Sequence, residues 1–156
     1  MKRLFAAVVA LTTLIFSLPA FASDDVVLTV RNGDQSHEFS IEDLRALGER
    51  EVKTTTIWSD GVQEFVGVSL DQLMSHVGVT EGTLEAAAVN DYAVQIPMSD
   101  ATAEGPIVAY LRNGEEMSLR DKGPLWVIYP YDSGAEFRTE DIYSRSIWQL
   151  NRITVK

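Results

Sequence analysis

The residues of this chain that can do chemistry are two histidines, His37 and His76, and a scatter of serines and carboxylates; there is no cysteine. Neither histidine has a His, Cys or carboxylate at the i+2 to i+4 spacing of a metal chelate. No serine sits in a Gly-x-Ser-x-Gly elbow, and Gly61, Gly67, Gly78, Gly82 and Gly105 are too dispersed to cradle a phosphate. Glu115–Glu116 and Glu140–Asp141 read as solvated carboxylates. The absence of cysteine removes disulfides, thiolate metal ligands and thiol nucleophiles together. His37 is expected to face solvent, and His76 to serve a local role at a helix C-terminus, where the dipole favours a cation.

One concentration of functional residue types remains, near the C-terminus: Trp126, Tyr129, Tyr131, Phe137, Arg138, Tyr143, Arg145 and Trp148. Trp, Tyr and Arg dominate binding hot spots because each joins a large apolar surface to a directional polar group. Trp126 and Tyr129 fall on an apolar run and are expected in the core. The remainder point to binding rather than to bond making.

Charge narrows the partners. The 156 residues carry 13 Lys and Arg against 23 Asp and Glu, a formal net charge of -10. A nucleic-acid partner is not expected, since phosphates are neutralised by clustered cations and none cluster here. Lys2 and Arg3 precede an apolar run from Leu4 to Leu18, and Ala20 and Ala22 bracket Phe21 in the small-x-small pattern of a cleavable leader. Residues 1–22 are therefore expected to be a signal peptide. The mature domain, 23–156, is expected to be exported (periplasmic or secreted), more acidic still, and without a membrane span.

The elements that position the candidates follow from periodicity. Asp25 to Arg31 alternates as a strand, Asn32–Gly33 signals a hairpin, and Gln35 to Phe39 is the return strand. Ser40 precedes Ile41, Leu44 and Leu47 at helical spacing, with Gly48 as the stop. Val52 to Trp58 is a β-branched strand closed by Ser59–Asp60–Gly61. Ser69 and Gln72 form a capping box for a helix through Leu70, Leu73, Met74 and Val77 that ends at Gly78. Further strands are expected at Leu84–Val89, Tyr92–Ile96, Ile107–Leu111, Leu125–Tyr129 and Arg152–Val155. Tyr131 to Asp141 reads as a loop, and Ile142 to Leu150 carries no decisive pattern. Two short helices among about seven strands make a β-rich, mixed α+β domain.

In order along the chain stand Phe65–Val66–Gly67–Val68–Ser69–Leu70, Ala88–Val89–Asn90–Asp91–Tyr92–Ala93, Ile107–Val108–Ala109–Tyr110 and Asn113–Gly114–Glu115. Gly123–Pro124–Leu125, Tyr129–Pro130 and Ser146–Ile147–Trp148–Gln149–Leu150–Asn151–Arg152–Ile153 complete the set. Together they resemble the molybdopterin-binding domain of the sulfite oxidase family, which implies that family's mixed α+β fold. In that family a cysteine thiolate holds molybdenum, and this chain cannot supply it. The family pattern also often has Arg after Gly-Pro-Leu and Lys after Ser-Val, where Trp126 and Trp148 stand here. Indoles in place of cations remove charge-assisted bonds to the cofactor's phosphate.

The resemblance with these departures implies an exported, non-catalytic binding protein without a cofactor. Its ligand-binding candidates are Tyr131, Arg138, Tyr143, Arg145, Ser146 and Trp148, and its partner a small ligand or a membrane-anchored sensor. The alternative is a molybdopterin-dependent oxidoreductase, or a subunit beside an oxidoreductase partner.

Overall fold

The computed structural model describes residues 25–156, so the leader expected over residues 1–22 lies outside the described residues. The first alternating segment forms β1 (Leu28–Asn32), which buries Leu28 and Val30, and pairs with β2 (Gln35–Phe39). The turn is Gly33–Asp34, one residue beyond the expected Asn32–Gly33, because Asn32 still pairs with Gln35. The left-handed φ of +57° falls on Gly33, the first central position, where a II′ hairpin turn calls for glycine. His37 is half-buried rather than solvent-facing: it pairs with Val30 and so points to the core side of the sheet, and its Nε2 has no partner.

Ser40 caps α1 (Ile41–Ala46), its Oγ accepting from the Asp43 amide (3.1 Å) while the Asp43 carboxylate accepts from the Ser40 amide (2.8 Å). The next hairpin, β3 (Arg50–Thr56) and β4 (Ser59–Ser69), corrects two expectations. The strand stops at Thr56, and Ser59–Asp60–Gly61 lies inside β4 rather than forming the turn. The Thr56 and Ser59 hydroxyls bond at 2.6 Å, and the Trp58 amide donates to Thr56 Oγ1 (3.1 Å), closing a two-residue tip at Ile57–Trp58. A β-bulge beside Thr55 and Thr56 absorbs the register shift. Trp58 is thereby lifted out of a strand and onto a hairpin tip.

The expected Ser69–Gln72 capping box does not form. Ser69 ends β4 paired with Ile107, its Oγ is buried without a partner, and α2 (Leu70–His76) follows without a break. The Leu70 amide is instead satisfied by the Pro106 carbonyl (3.0 Å). β5 (Thr83–Ala88) and β6 (Ala93–Pro97) flank the expected Asn90–Asp91 turn, where Asn90 Oδ1 accepts from the Tyr92 amide. β7 (Ile107–Arg112), the two-residue β8 (Glu115–Glu116) and β9 (Trp126–Ile128) follow.

The segment read as a loop after Pro130 is two short 3-10 turns, and a missed helix, α3 (Glu140–Arg145), comes next. Thr139 Oγ1 caps it by accepting from the Ile142 amide, and Glu140 and Asp141 occupy the first turn, where the dipole favours acids. β10 (Leu150–Val155) ends the chain.

The strands form two sheets, β2-β1-β10-β5-β6 and β3-β4-β7-β8, with β9 also pairing β7. Only β1 and β10 run parallel among these pairs. The fold is thus the β-rich mixed α+β domain expected from the sequence. Leu28, Leu44, Phe65, Leu73, Ile107 and Ile128 are fully buried in one core, each stabilising the fold by about 1.5–3 kcal/mol. β4 and β7 approach so closely at Gly67 that a Cβ there would overlap the Val108 carbonyl and Ala109 Cα. Among the described residues, no helix is long and apolar enough to cross a membrane.

Candidate functional site: an aromatic cavity at the Trp58 tip

The hairpin tip carries the Trp58 ring into a nest of four others. Its neighbours are Trp148 (centroids 5.7 Å, interplanar angle 71°), Tyr143 (5.9 Å, 89°), Trp126 (5.7 Å, 62°) and Tyr131 (6.3 Å, 68°). Edge-to-face contacts of this kind set the positive rim of one ring against the negative face of the next. Trp126 is the floor. It is wholly buried, packs edge-to-face on Phe65 (5.4 Å) and donates from Nε1 to the Ser146 carbonyl (3.1 Å).

Tyr143 stands on α3, and the segment that follows is stitched to β9. Val127 donates to the Ile147 carbonyl (2.9 Å) and Leu150 to that of Leu125 (3.0 Å), which sets Trp148 opposite Trp126 in an isolated antiparallel bridge. Gln149 takes a left-handed φ of +53° and donates its amide to the Lys122 carbonyl. Val89 donates to the Gln149 carbonyl (3.0 Å), bringing the β5–β6 turn to the same place.

These elements enclose a cavity of about 300 Å³, walled by Trp58, Tyr92, Tyr143 and Trp148 and completed by Ala88, Asn90, Ser144, Ser146, Ile147 and Gln149. That volume is at the lower end of the range for small-molecule sites. No residue of the lining is formally charged. Ser146 Oγ and Ser144 Oγ are committed to the carbonyls of Ile142 and Asp141. The Asn90 oxygen accepts from Tyr92, which leaves its NH2 as a donor, and the Gln149 NH2 donates to Leu119, which leaves its oxygen as an acceptor. Stacking faces plus one amide donor and one amide acceptor suit a planar heterocycle.

Of the six candidates, Tyr143, Ser146 and Trp148 line this cavity; Tyr131, Arg138 and Arg145 do not. Tyr131 lies behind it, fully buried and donating to Ser146 Oγ (2.7 Å), with its phenol pushed above the usual tyrosine range by burial. Arg145 is held by Asp100 (3.0 Å), which also accepts from Tyr129 OH (2.7 Å). Tyr129, buried and bonded to that carboxylate, is raised as well. Arg138 is exposed.

Trp58, Asn90, Tyr92 and Gln149 escaped the sequence reading, as did Lys122. The Lys122 ammonium lies over the Trp148 ring at 4.0 Å and over Trp126 at 5.4 Å, a cation supplied from outside the two positions where the family pattern places one. Burial holds that ammonium below the usual lysine range, with Arg112 acting in the same direction.

Asp132 pins the 3-10 turn at Tyr131 to β3. Its carboxylate accepts from the Thr55 amide (2.6 Å) and hydroxyl (2.7 Å), and its own amide donates to Thr54 Oγ1. The Thr55 backbone bond, then the hydroxyl, hold its pKa below the usual carboxylate value. A depressed folded pKa gives stability that is present above the unfolded value of about 3.9 and lost as pH falls through the folded one. Asp132→Asn is therefore expected to lower the urea midpoint at neutral pH. The gap to wild type should narrow as pH falls below about 4, and a gap constant with pH would remove this role.

The fold and the sequence match define the class. The chain belongs to the oxidoreductase molybdopterin binding domain family, which matches residues 16–137. The match extends upstream of the stretch that carries the resemblance and stops short of α3 and Trp148. Among solved structures, the sulfane dehydrogenase SoxCD from Paracoccus pantotrophus has the same fold, with a TM-score of 0.64 and 18% identity over 85% of this chain. This chain spans 38% of that one. No curated protein matches the sequence.

The residues present do not fit a molybdenum centre. The sequence holds no thiolate donor, and among the described residues no group of three or more His, Asp or Glu is placed to hold a metal. None of the lining residues is a cation, and Lys122 lies outside the lining, over Trp148. What the lining does suit is a flat ring.

Proposed function

We propose that this chain is an exported, non-catalytic binding protein that uses a sulfite-oxidase-type scaffold to hold a small planar heterocycle, of the pterin class, in the aromatic cavity. The observation that carries this reading is the uncharged cavity walled by Trp58, Tyr92, Tyr143 and Trp148 in a chain without a thiolate. A pterin ring presents two π faces and an edge of alternating donors and acceptors, which the Asn90 NH2 and the Gln149 oxygen complement. Aromatic stacking contributes about 1–3 kcal/mol per ring. Export rests on the leader pattern in residues 1–22.

A membrane-anchored sensor domain is the partner we assign to the loaded protein. Val89, Tyr92 and Trp148 are exposed apolar side chains at or beside the cavity, and apolar surface of that kind supports docking. Titration of the purified protein with pterin, followed by tryptophan fluorescence, tests the ligand. Saturable quenching that is lost in Trp148→Ala supports the reading; unchanged emission at millimolar pterin defeats it.

The second reading, a molybdopterin oxidoreductase or a subunit of one, is supported by family membership. It requires stoichiometric molybdenum in protein purified from a cofactor-competent host, which elemental analysis measures directly.

A further inference from the structure

We propose that the outer edge of β2 is a second binding surface, which takes an extended, basic segment of a partner protein as an added strand. It is independent of the aromatic cavity, to which β2 contributes no residue.

A sheet edge presents N–H and C=O groups without partners, and proteins cover, shorten or charge such edges. Three of the four outermost strands of the two sheets are dealt with in this way. β6 ends at Pro97 and packs against α3, β3 gives its Thr55 amide to Asp132, and β8 has only two residues. β2 is the fourth, and among the described residues it pairs with β1 alone. The turn at Gly33–Asp34 makes Asn32 and Gln35 a hydrogen-bonded pair, and the antiparallel ladder alternates from there. His37 and Phe39 therefore bond inward to β1, while the N–H and C=O of Ser36 and Glu38 point outward. Both residues are exposed, and neither backbone has a partner among the described residues.

A cavity of about 460 Å³ borders this edge, where Ser36 and Glu38 line it together with His37, Phe39, Leu47 and His76. The Phe39 and His76 rings meet edge to face at 5.9 Å. Side chains of an added strand alternate, so one set would enter this cleft while the other lay beside Ser36 and Glu38.

Charge selects the occupant. Glu38 stands on the edge itself, Asp43 on the cavity wall, and no Lys or Arg is among the lining residues. Arg31, opposite Ser36 on β1, offsets only one of these carboxylates. A second copy of this chain would bring its own Glu38 and a net charge of -10 against them, and like charges facing each other across a ladder are destabilising. A basic segment meets the opposite situation. Its Lys beside Glu38 completes a cross-strand pair, and its backbone satisfies the outward groups of Ser36 and Glu38.

The test uses the mature protein and blocked peptides of about six residues in which Lys and Val, or Glu and Val, alternate. The Lys peptide is expected to bind at least about ten-fold more tightly at low salt, with slowed hydrogen exchange at the Ser36 and Glu38 amides. Glu38→Lys should remove that preference, and a preference unchanged in it overturns the assignment of charge. Two further Lys peptides carry the same charge, one N-methylated on its Lys amides and one on its Val amides. Only one set of amides faces β2, so one version should lose binding by more than about ten-fold and the other keep it. An equal effect of both overturns strand addition, and because this pair is read on wild type it decides even if Glu38→Lys does not fold. Protection of Ser36 and Glu38 that grows with protein concentration alone would make a second copy the occupant and overturn the inference. A Lys peptide that does not bind, or that binds without protecting those amides, overturns it as well, and none of these results bears on the aromatic cavity.

Discussion

Trp58→Ala is expected to weaken pterin binding by about 30–150-fold, the equivalent of about 2–3 kcal/mol, while the protein stays folded. Among the aromatic rings of the described residues, Trp58 is the one that touches both upright walls of the cavity, Tyr143 at 89° and Trp148 at 71°. Removing it takes away a stacking face and the contacts that keep those walls apart. The hairpin tip does not depend on the indole, because the Thr56 hydroxyl bonds Ser59 and the Trp58 backbone amide. Because the ring packs on the core, some loss of stability is expected as well, so Kd is compared at a temperature where the variant is folded. Binding retained within about three-fold in a folded Trp58→Ala protein would place the ligand elsewhere.

Trp126→Ala is expected to cost about 3–5 kcal/mol of stability, the range for removing a fully buried large aromatic. The loss has several parts that share one side chain. The cavity it leaves lies under Phe65, Trp58 and Trp148, the Ser146 carbonyl loses its indole donor, and Lys122 loses one of its two ring partners. Trp126→Phe keeps most of the volume but not the N–H, so about 1–2 kcal/mol is expected for it. Denaturant unfolding separates these values, and a cost below about 1 kcal/mol for the alanine variant would mean that the site collapses to fill the void.

Much of the fold was legible because local signals and tertiary packing agree. Ser40 with Asp43 caps α1 as a capping box does, Gly78 ends α2 with a left-handed φ, and the alternation of Leu28 and Val30 against polar neighbours marks a half-buried strand. Readings failed where a side chain found a partner distant in sequence or offset by a turn. Ser69 looks like a cap, but the chain passes straight from strand to helix and the Leu70 amide goes to Pro106, 36 positions on. Trp58 looks like a strand residue until Thr56 and Ser59 close the hairpin two residues early. α3 was within reach, since Thr139–Glu140–Asp141 is a cap followed by acids, but the six-residue helix buries one residue, Ile142.

The site was legible by half for the same reason. Tyr143, Ser146 and Trp148 lie close in sequence and all line the cavity, so composition alone brought them forward. Trp58, Tyr92 and Lys122 come from separate segments and meet them only through sheet topology. Arg145 has the chemistry of an anion ligand, but Asp100 takes it. Lys122 had no sequence signal, because its placement depends on the two indoles that it covers.

Binding of an organic ring without the metal, as proposed for this scaffold, is open to direct observation. Native mass spectrometry of the protein isolated from a host that makes the complete cofactor tests this in one spectrum. The expected spectrum has a mass increment that matches a small heterocycle, shows no molybdenum isotope pattern, and disappears in Trp58→Ala. A stoichiometric molybdenum pattern on the wild-type chain, retained in Trp58→Ala, would contradict it.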